Sequence, residues 1–425
     1  MKNRVVITGM GVYAPNAINL RDFRDAIREG RSGIEFIPRL EELKFGCRIG
    51  GIAKPLTESQ IEFLKKLQIP TSGDSLGLAV IAAIEAWNDA GFEIETNKDD
   101  ADWDTGAMIG CGVSDMKIIA ETLIPKVNQG KARRMGSQIV EQVMGSGLSA
   151  AIGGVFGLGN QVTSNSSACS TGSEAIVEST WRIRSGRAKR MLAGGAEGSS
   201  PYIWAGFDSM RVLSTKFNDH PKEGSRPMSA SACGFVPGSG AGVVILEELE
   251  TALKRGAKIY GEIIGAQTNC GGQRSGGSMT APNPSGVQRC IKESLLDANI
   301  SPGDIDAING HLTATYADPY ELKNWSQALE RGPENFPYIN STKSMIGHCL
   351  GATGAIETIA AVLQMEGSFL HPSLNCEDIH PDIEAFENKV VRKLKDDINI
   401  NIIAKASFGF GDVNSCLIIK KWENN

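Results

Sequence analysis

The sequence predicts an α/β fold of two similar halves with mainly parallel sheets. Three observations lead there. Short apolar strands alternate with helices along most of the chain, the pattern in which helices cover a sheet. The order of elements in the first part recurs in the second. The chain has 425 residues, more than one hydrophobic core normally serves. The join is placed near Arg255, giving an N-terminal half over 1–255 and a C-terminal half over 256–425.

Val5 to Ile7 is a first strand entering the glycine turn Gly9-Met-Gly11. Asn19 to Arg28 puts Leu20, Phe23 and Ile27 on one helical face. Asp74 to Ala90 is a strongly apolar helix stopped at Gly91. Ala107 to Gly112 is a strand of small and apolar residues, suited to a sheet covered on both faces. The stretch 118–143 is helical in parts, and Gly145 to Gly159 is too glycine-rich to stand as an isolated helix, so it packs tightly. Gln161 to Ser164 is β-rich and leads through a small-residue turn into a helix over Ser173 to Arg184. Strands follow at Arg190 to Ala196 and Gly240 to Glu247. The second series has strands at Lys258 to Asn269, Asp306 to His311 and Pro337 to Asn340, with helices at Ser285 to Ala298, Pro319 to Glu330 and Gly354 to Met365. It closes with a strand over Asn401 to Ser407, a loop over Phe408 to Asn414 and a last strand over Ser415 to Lys420.

Composition excludes several classes. A net charge of −6 argues against nucleic acid as the general partner. No apolar run reaches membrane-spanning length, and the first one breaks at Gly9 and Gly11, so it reads as a strand rather than a secretion signal. The nine cysteines are scattered and hold no CxxC pair, which fits reduced thiols in a cytoplasm rather than disulfides or a zinc site.

The run Ser166 to Ile176 is where chemistry is expected. Cys169 falls at the joint between strand and helix, where the helix's positive end and unpaired N–H groups are expected to lower a thiol's pKa. The alternative is a buried structural cysteine. Of five histidines, His311 and His348 lie at a strand end and in a glycine-rich turn, where open α/β sheets present functional groups, while His220, His371 and His380 lie in polar segments and are expected at the surface. A thiol with two imidazoles leaves three options: a zinc site, a cysteine protease, or acyl transfer through a thioester. Neither a ligating carboxylate nor an orienting acid is evident for the first two.

Four blocks of sequence then resemble a known family. They are Ala168-Cys169-Ser-Thr-Gly172, His311-Leu-Thr-Ala-Thr315, Asn340 through Lys343 and His348 to Gly354, and Ser407-Phe-Gly-Phe-Gly411. Their order and content are similar to the signature blocks of the β-ketoacyl-acyl-carrier-protein synthases, most like the synthase II type, within the thiolase superfamily. The opening Arg4 to Gly11, Met210 to Thr215, Ser225-Arg-Pro227 and Ser278 to Pro282 extend the likeness over nearly the whole chain. The resemblance implies a thiolase fold, an α-β-α-β-α layered sandwich, and an acyltransferase that carries out decarboxylative Claisen condensation in fatty acid or polyketide biosynthesis. It implies that Cys169 holds the acyl chain, that His311 and His348 stabilise the enolate of malonyl-carrier protein, and that the Cys169 and Phe410 N–H groups form an oxyanion hole. Lys343 and Glu357 would support the histidine loop. Thr313 and Thr315 would meet the phosphopantetheine arm, Thr280 would contact the substrate, Val113 and Phe207 would line the acyl tunnel, and Phe410 would gate it.

The same resemblance implies no metal and no cofactor beyond that phosphopantetheine, an acidic acyl carrier protein as partner, and a dimer with itself or with a ketosynthase-like subunit. Lys65, Lys66, Lys131, Arg133, Arg134 and Arg211 are candidates for the carrier contact, each also readable as a solvated surface charge. Two departures stand out. Leu312 and Ala314 occupy places where the family's block has glycine, so the backbone or its packing must change, and Asp412 puts a charge beside the gate. This pattern resembles ketosynthases of aryl polyene or flexirubin pathways, which extend unsaturated chains. A non-catalytic chain-length partner and a thiolase acting on coenzyme A esters are the rival readings. The first normally lacks the thiol, and the second normally has another cysteine near the C-terminal glycine loop, whereas Cys416 here lies in the last strand.

Overall fold

The computed structural model describes residues 2–94, 100–113, 115–272, 279–280 and 282–423, so Ser278 and Ala281 of the Ser278 to Pro282 block lie outside the described residues. Ten strands form one continuous sheet. The first five are β1 (Val5–Tyr13), β2 (Thr105–Gly110), β3 (Val162–Thr163), β4 (Arg190–Glu197) and β5 (Gly240–Glu248). The second five are β6 (Gly261–Cys270), β7 (Ala307–Asn309), β8 (Tyr338–Asn340), β9 (Ile402–Gly409) and β10 (Val413–Lys421). Helices α1 (Ser75–Asp89), α2 (Gly147–Phe156) and α3 (Thr171–Arg184) lie between the strands of the first set, and α4 (Pro284–Ala298), α5 (Asp318–Leu329) and α6 (Thr353–Glu366) between those of the second.

The order across the sheet is β8-β7-β9-β10-β6-β1-β5-β4-β2-β3. Each set of five therefore has its third strand outermost, then its second, fourth, fifth and first, and the two first strands meet at the centre. The halves match in strand order and pairing sense as well as in element order. They do not match the expectation of mainly parallel sheets. Only β3-β2-β4 and β8-β7-β9 pair in parallel, and the pairings of β4-β5, β5-β1, β1-β6, β6-β10 and β10-β9 are antiparallel. In the second half the reason is local: a tight turn, not a covering crossover helix, joins β9 to β10, so the chain turns back on itself, whereas in the first half β4 and β5 are antiparallel across a longer connection that carries the helix Pro201–Ser209. The stretch Phe408 to Asn414 is accordingly no open loop. β9 runs to Gly409, β10 starts at Val413, and Phe410 sits in the tight turn between them.

Alternation along the strands sorts side chains into layers. Val244 and Leu246 of β5, with Leu417 and Ile419 of β10, join a central core with α3 and α6. Val243 and Ile245 face α1 and α2 on one outer side, and Cys416 and Ile418 face α4 and α5 on the other. The result is five layers, with α3 and α6 enclosed between the two halves of the sheet. These two helices touch through small residues. A Cβ on Gly172 would lie 2.7 Å from the Ala355 nitrogen, and one on Gly354 would lie 2.5 Å from the Ser173 nitrogen. That close crossing brings the N-terminal ends of both buried helices, and the loops leading into them, to one place. Among the described residues no helix is long and apolar enough to cross a membrane.

Candidate active site

Cys169 lies in a single tight turn, Ala168–Ser170, that feeds directly into α3. Ala168 adopts φ +49°, a left-handed backbone that turns the following residue out of the strand's path, as at other nucleophile elbows. His348 stands in the loop before α6, and His311 follows β7. The Cys169 sulfur and one ring nitrogen from each histidine lie within 4.8 Å of one another. The two imidazoles meet edge to face, with centroids 5.6 Å apart. All three residues line one cleft together with Phe207, Phe235, Phe408 and Phe410.

Protonation states follow from the surroundings. Both histidines are held well below their ordinary value by burial first and by the Lys343 cation second, so both rings are neutral. The His348 tautomer is fixed by its partners. The Leu350 N–H donates to Nδ1 at 3.1 Å, so Nδ1 is an acceptor and the proton sits on Nε2. Nε2 is buried without a partner among the described residues, as is Nδ1 of His311. A donor N–H held next to the sulfur with nothing to bond is a preformed place for negative charge. The same arrangement suits a metal poorly. Coordination through Nε2 would move the proton to Nδ1, against the Leu350 N–H.

The expected lowering of the Cys169 pKa is not found. The thiol is only 7 % exposed, and burial pushes it up to about 11. The Phe410 N–H, the Lys343 charge and its own N–H act in the opposite direction but do not outweigh burial. Cys169 is therefore a thiol at rest, with two backbone N–H groups already directed at its sulfur.

Beneath the histidines lies a buried charge network. Lys343 donates to the His311 carbonyl at 2.5 Å and to Glu357 Oε1 at 2.6 Å. Lys405 is paired with Glu357 Oε2 at 2.9 Å. Lys343 is thus no surface lysine, and Glu357 is no ordinary helix carboxylate. On the other side, two acids near the start of α5 hold the loop 311–315. Glu321 accepts the N–H groups of His311 and Leu312, each at 2.7 Å, and Asp318 accepts those of Thr313 at 2.8 Å and Ala314 at 3.0 Å. Burial raises Glu321 to about 7 and raises Asp318 as well. Glu197, at the end of β4 and also raised to about 7 by burial, accepts the N–H groups of Gly112, Val113 and Gly351. The sequence reading missed Glu197, Asp318, Glu321, Phe235 and Lys405. Their only signal was position: acids at a strand end and a helix start, an aromatic in an apolar run, and a lysine inside a strand.

The loop anchors explain how Leu312 and Ala314 are tolerated. Their φ values are +21° and +63°, so the backbone stays in the region that favours glycine, and both side chains are fully buried. Leu312 packs among Leu322, Trp325 and Ile339. Removing that side chain costs roughly 2–5 kcal/mol, whereas relieving the strain returns only about 1–3 kcal/mol. Leu312→Gly is therefore expected to destabilise the protein by about 1–3 kcal/mol in urea unfolding, and Ala314→Gly to change stability by less than about 1 kcal/mol. A Leu312→Gly protein more stable than the parent would refute the packing account.

Other expected site residues are distributed as follows. Thr280, Thr313 and Thr315 line the cleft, and the last two share a hydroxyl contact at 3.0 Å. Phe207 lines it too, but Val113 does not: it packs beside Phe207 in the adjoining apolar cluster, because Glu197 pins its N–H back against the strand end. Lys65, Lys66, Lys131, Arg133, Arg134 and Arg211 are all exposed, and Arg211 directly precedes Val212 of the cleft wall. Asp412 does not face the gate as a free charge, since it is buried and accepts the Asn283 N–H at 2.9 Å. His220 is exposed and His380 partly so, but His371 is fully buried, held at about 4 by burial. Its backbone bonds to Gln364 and Asn340 draw the His-Pro segment under β8.

Comparison with known proteins agrees with this geometry. The sequence patterns of the β-ketoacyl synthase N-terminal and C-terminal domains match residues 2–252 and 260–377. The chain is 36% identical over 429 aligned residues to 3-oxoacyl-[acyl-carrier-protein] synthase 2 of Synechocystis sp., covering 99% of each. It is 33% identical over 421 residues to 3-oxoacyl-[acyl-carrier-protein] synthase 1 of Haemophilus influenzae, again covering 99% of each. Among solved structures, a β-ketoacyl synthase from Burkholderia phymatum superposes with a TM-score of 0.87 at 28% identity over the full length of both chains. A type II PKS ketosynthase bound to its acyl-carrier protein and the hexaketide superposes with a TM-score of 0.86 at 28% identity, also over both full lengths.

Proposed function

The chain belongs to the β-ketoacyl synthase family and is an acyltransferase of the 3-oxoacyl-[acyl-carrier-protein] synthase type, and we propose that it performs decarboxylative condensation at Cys169, His311 and His348. The observation that carries this assignment of residues is the thiol within 4.8 Å of two neutral imidazoles.

In the first stage the Cys169 sulfur attacks the thioester carbonyl of an acyl carrier protein. The bond to the phosphopantetheine sulfur breaks, and that thiol leaves with the proton Cys169 gives up. The N–H groups of Cys169 and Phe410 stabilise the oxyanion formed on the way. In the second stage a malonyl carrier protein loses carbon dioxide. The electron pair of the broken carbon–carbon bond becomes an enolate, and its oxygen is met by the His348 Nε2–H and the His311 ring. The enolate carbon then attacks the Cys169 thioester, the carbon–sulfur bond breaks, the thiolate left on Cys169 takes up a proton from solvent, and the 3-oxoacyl chain leaves on the carrier. Neutral rings serve this step, so its rate should hold from pH 8 down through the ordinary histidine value of about 6.5 and fall only below it. A pH profile of condensation measured with preloaded enzyme checks this.

Thr280, Thr313 and Thr315 are proposed to bond the phosphopantetheine arm, and the six exposed basic residues, Arg211 foremost, to meet the carrier protein. No metal or further cofactor is invoked. A dimer is proposed, with a second copy or with a ketosynthase-like subunit, since a neighbour in structure is described as the ishigamide ketosynthase/chain length factor (TM-score 0.86, 27% identity). The retained Cys169 disfavours a non-catalytic partner role. A thiolase role is disfavoured because Cys416 is buried in the outer core cluster with α4 and α5.

The preferred acyl group is proposed to be planar and unsaturated, as in polyene assembly. Four phenylalanines together with Tyr316 and Tyr320 line the cleft, and flat conjugated chains gain from stacking on such rings. Donors of equal length, one conjugated and one saturated, distinguish these cases by mass spectrometry of the extended carrier protein. The conjugated donor should be extended about tenfold faster at low concentration. Equal rates would refute the preference while leaving the synthase reading intact.

A further inference from the structure

The condensation as described leaves Lys405 without a role. Its side chain is wholly buried in β9, where an unpaired ammonium would be very costly. Three groups meet it: Glu357 Oε2 at 2.9 Å, the Ala406 carbonyl at 2.5 Å and Ser407 Oγ at 2.8 Å. The Ser407 hydroxyl in turn lies 2.9 Å from that of Ser173, in the first turn of α3. At the other end, Glu357 joins Lys343, which reaches the His311 carbonyl. A continuous buried polar chain therefore runs from the helix of the nucleophile to the loop of the histidine, and Lys405 is its central link.

Charge follows the same path. Lys343 and Lys405 share the single carboxylate of Glu357, a formal charge of plus one; burial lowers the Lys405 pKa and the Glu357 carboxylate acts to raise it again. Among the described residues, the other titratable groups facing it are Cys416 on the paired strand β10, Glu321 and Asp318 behind His311, Glu197 beside Cys169, and Cys349 and His371 near Glu357. Lys405 acts on both His311 and His348 in the direction that disfavours their protonation.

We propose that Lys405 is a positioning residue for condensation, linking α3 to the His311 loop through Glu357 and holding a net positive charge beneath the two imidazoles. This deepens the synthase reading and rests on it. A buried cation near an imidazole opposes a second positive charge on the ring, so Lys405 adds to burial and to Lys343 in keeping the pair neutral when the bulk pH falls. The lysine gives and takes no proton in the cycle.

The test uses the full chain with its carrier protein, reading Cys169 loading by intact mass and condensation rate against pH. Lys405→Met should load within about threefold of the parent, lose at least about tenfold in condensation kcat, and move the acid limb of the profile up by about one pH unit. Adding Glu357→Gln removes one negative charge and restores the cluster's net positive charge. In that double variant the acid limb should move back toward the parent's, although kcat stays low. A purely structural lysine predicts a lower melting temperature with an unmoved acid limb, and that result would overturn the proposal. So would a parent protein whose own acid limb lies at or above about 6.5, a comparison that needs no variant. A parent that makes no 3-oxoacyl product overturns the synthase reading and this proposal with it, whereas product with an unmoved limb overturns this proposal alone.

Discussion

Cys169→Ala is expected to abolish acyl loading and to cut chain extension by at least about 10³-fold, the scale seen when a covalent nucleophile is removed. The fold should survive, because the side chain lines the cleft and belongs to none of the core clusters, and the turn before α3 is held by the Ser170 hydroxyl on the Ser407 and Val413 carbonyls. Intact-mass measurement after incubation with an acyl donor reads the loading directly. A variant that still gains the acyl mass would mean that another thiol is the nucleophile. Cys111, beside Glu197, and Cys349, next to His348 in sequence, are poor substitutes, since burial pushes both thiols up and both donate to backbone carbonyls.

His311→Ala and His348→Ala are expected to separate the two stages. Loading depends on the sulfur and on two backbone N–H groups, none of which either substitution removes. Condensation depends on the ring N–H groups, and losing one preorganised donor costs about 10²–10³-fold in kcat. Each variant should therefore load Cys169 at near the parent rate and release carbon dioxide from malonyl carrier protein at least about 100-fold more slowly. The His348 variant tests the tautomer argument most sharply, because its Nε2 proton is fixed by the Leu350 N–H. Unchanged turnover in both variants would remove the histidines from the enolate step.

Much of this was legible in the residues. Alternating strands and helices revealed the duplicated α/β plan, whereas the close crossing of α3 and α6 at Gly172 and Gly354 emerges only in the folded chain. Cys169, His311 and His348 were expected together because each sits in a block of recognisable order, and the fold brings them within 4.8 Å of one another. What was not legible depended on contacts distant in sequence. The antiparallel β9–β10 pair follows from the turn at Phe410, whose glycines look like loop when read alone. The raised thiol of Cys169 reflects desolvation by the enclosing cleft, which local position at a helix start does not reveal. His371 looked exposed because it precedes proline in a polar stretch, but Gln364 and Asn340 bury it. Asp318 and Glu321 looked like ordinary helix-start acids, and only the folded loop shows that they accept the N–H groups that keep Leu312 and Ala314 in place.

The central claim is that one sulfur and two neutral rings carry both stages of a single reaction. Rapid-quench mass spectrometry tests it most directly: enzyme is loaded with an acyl donor and then mixed with malonyl carrier protein, and the adduct on Cys169, the carbon dioxide released and the carrier-bound product are followed together. The acyl mass on Cys169 should appear first and then decay at the rate at which 3-oxoacyl carrier protein and an equal amount of carbon dioxide accumulate. Product that accumulates while Cys169 stays unmodified, or an adduct that persists while product forms, would contradict the account.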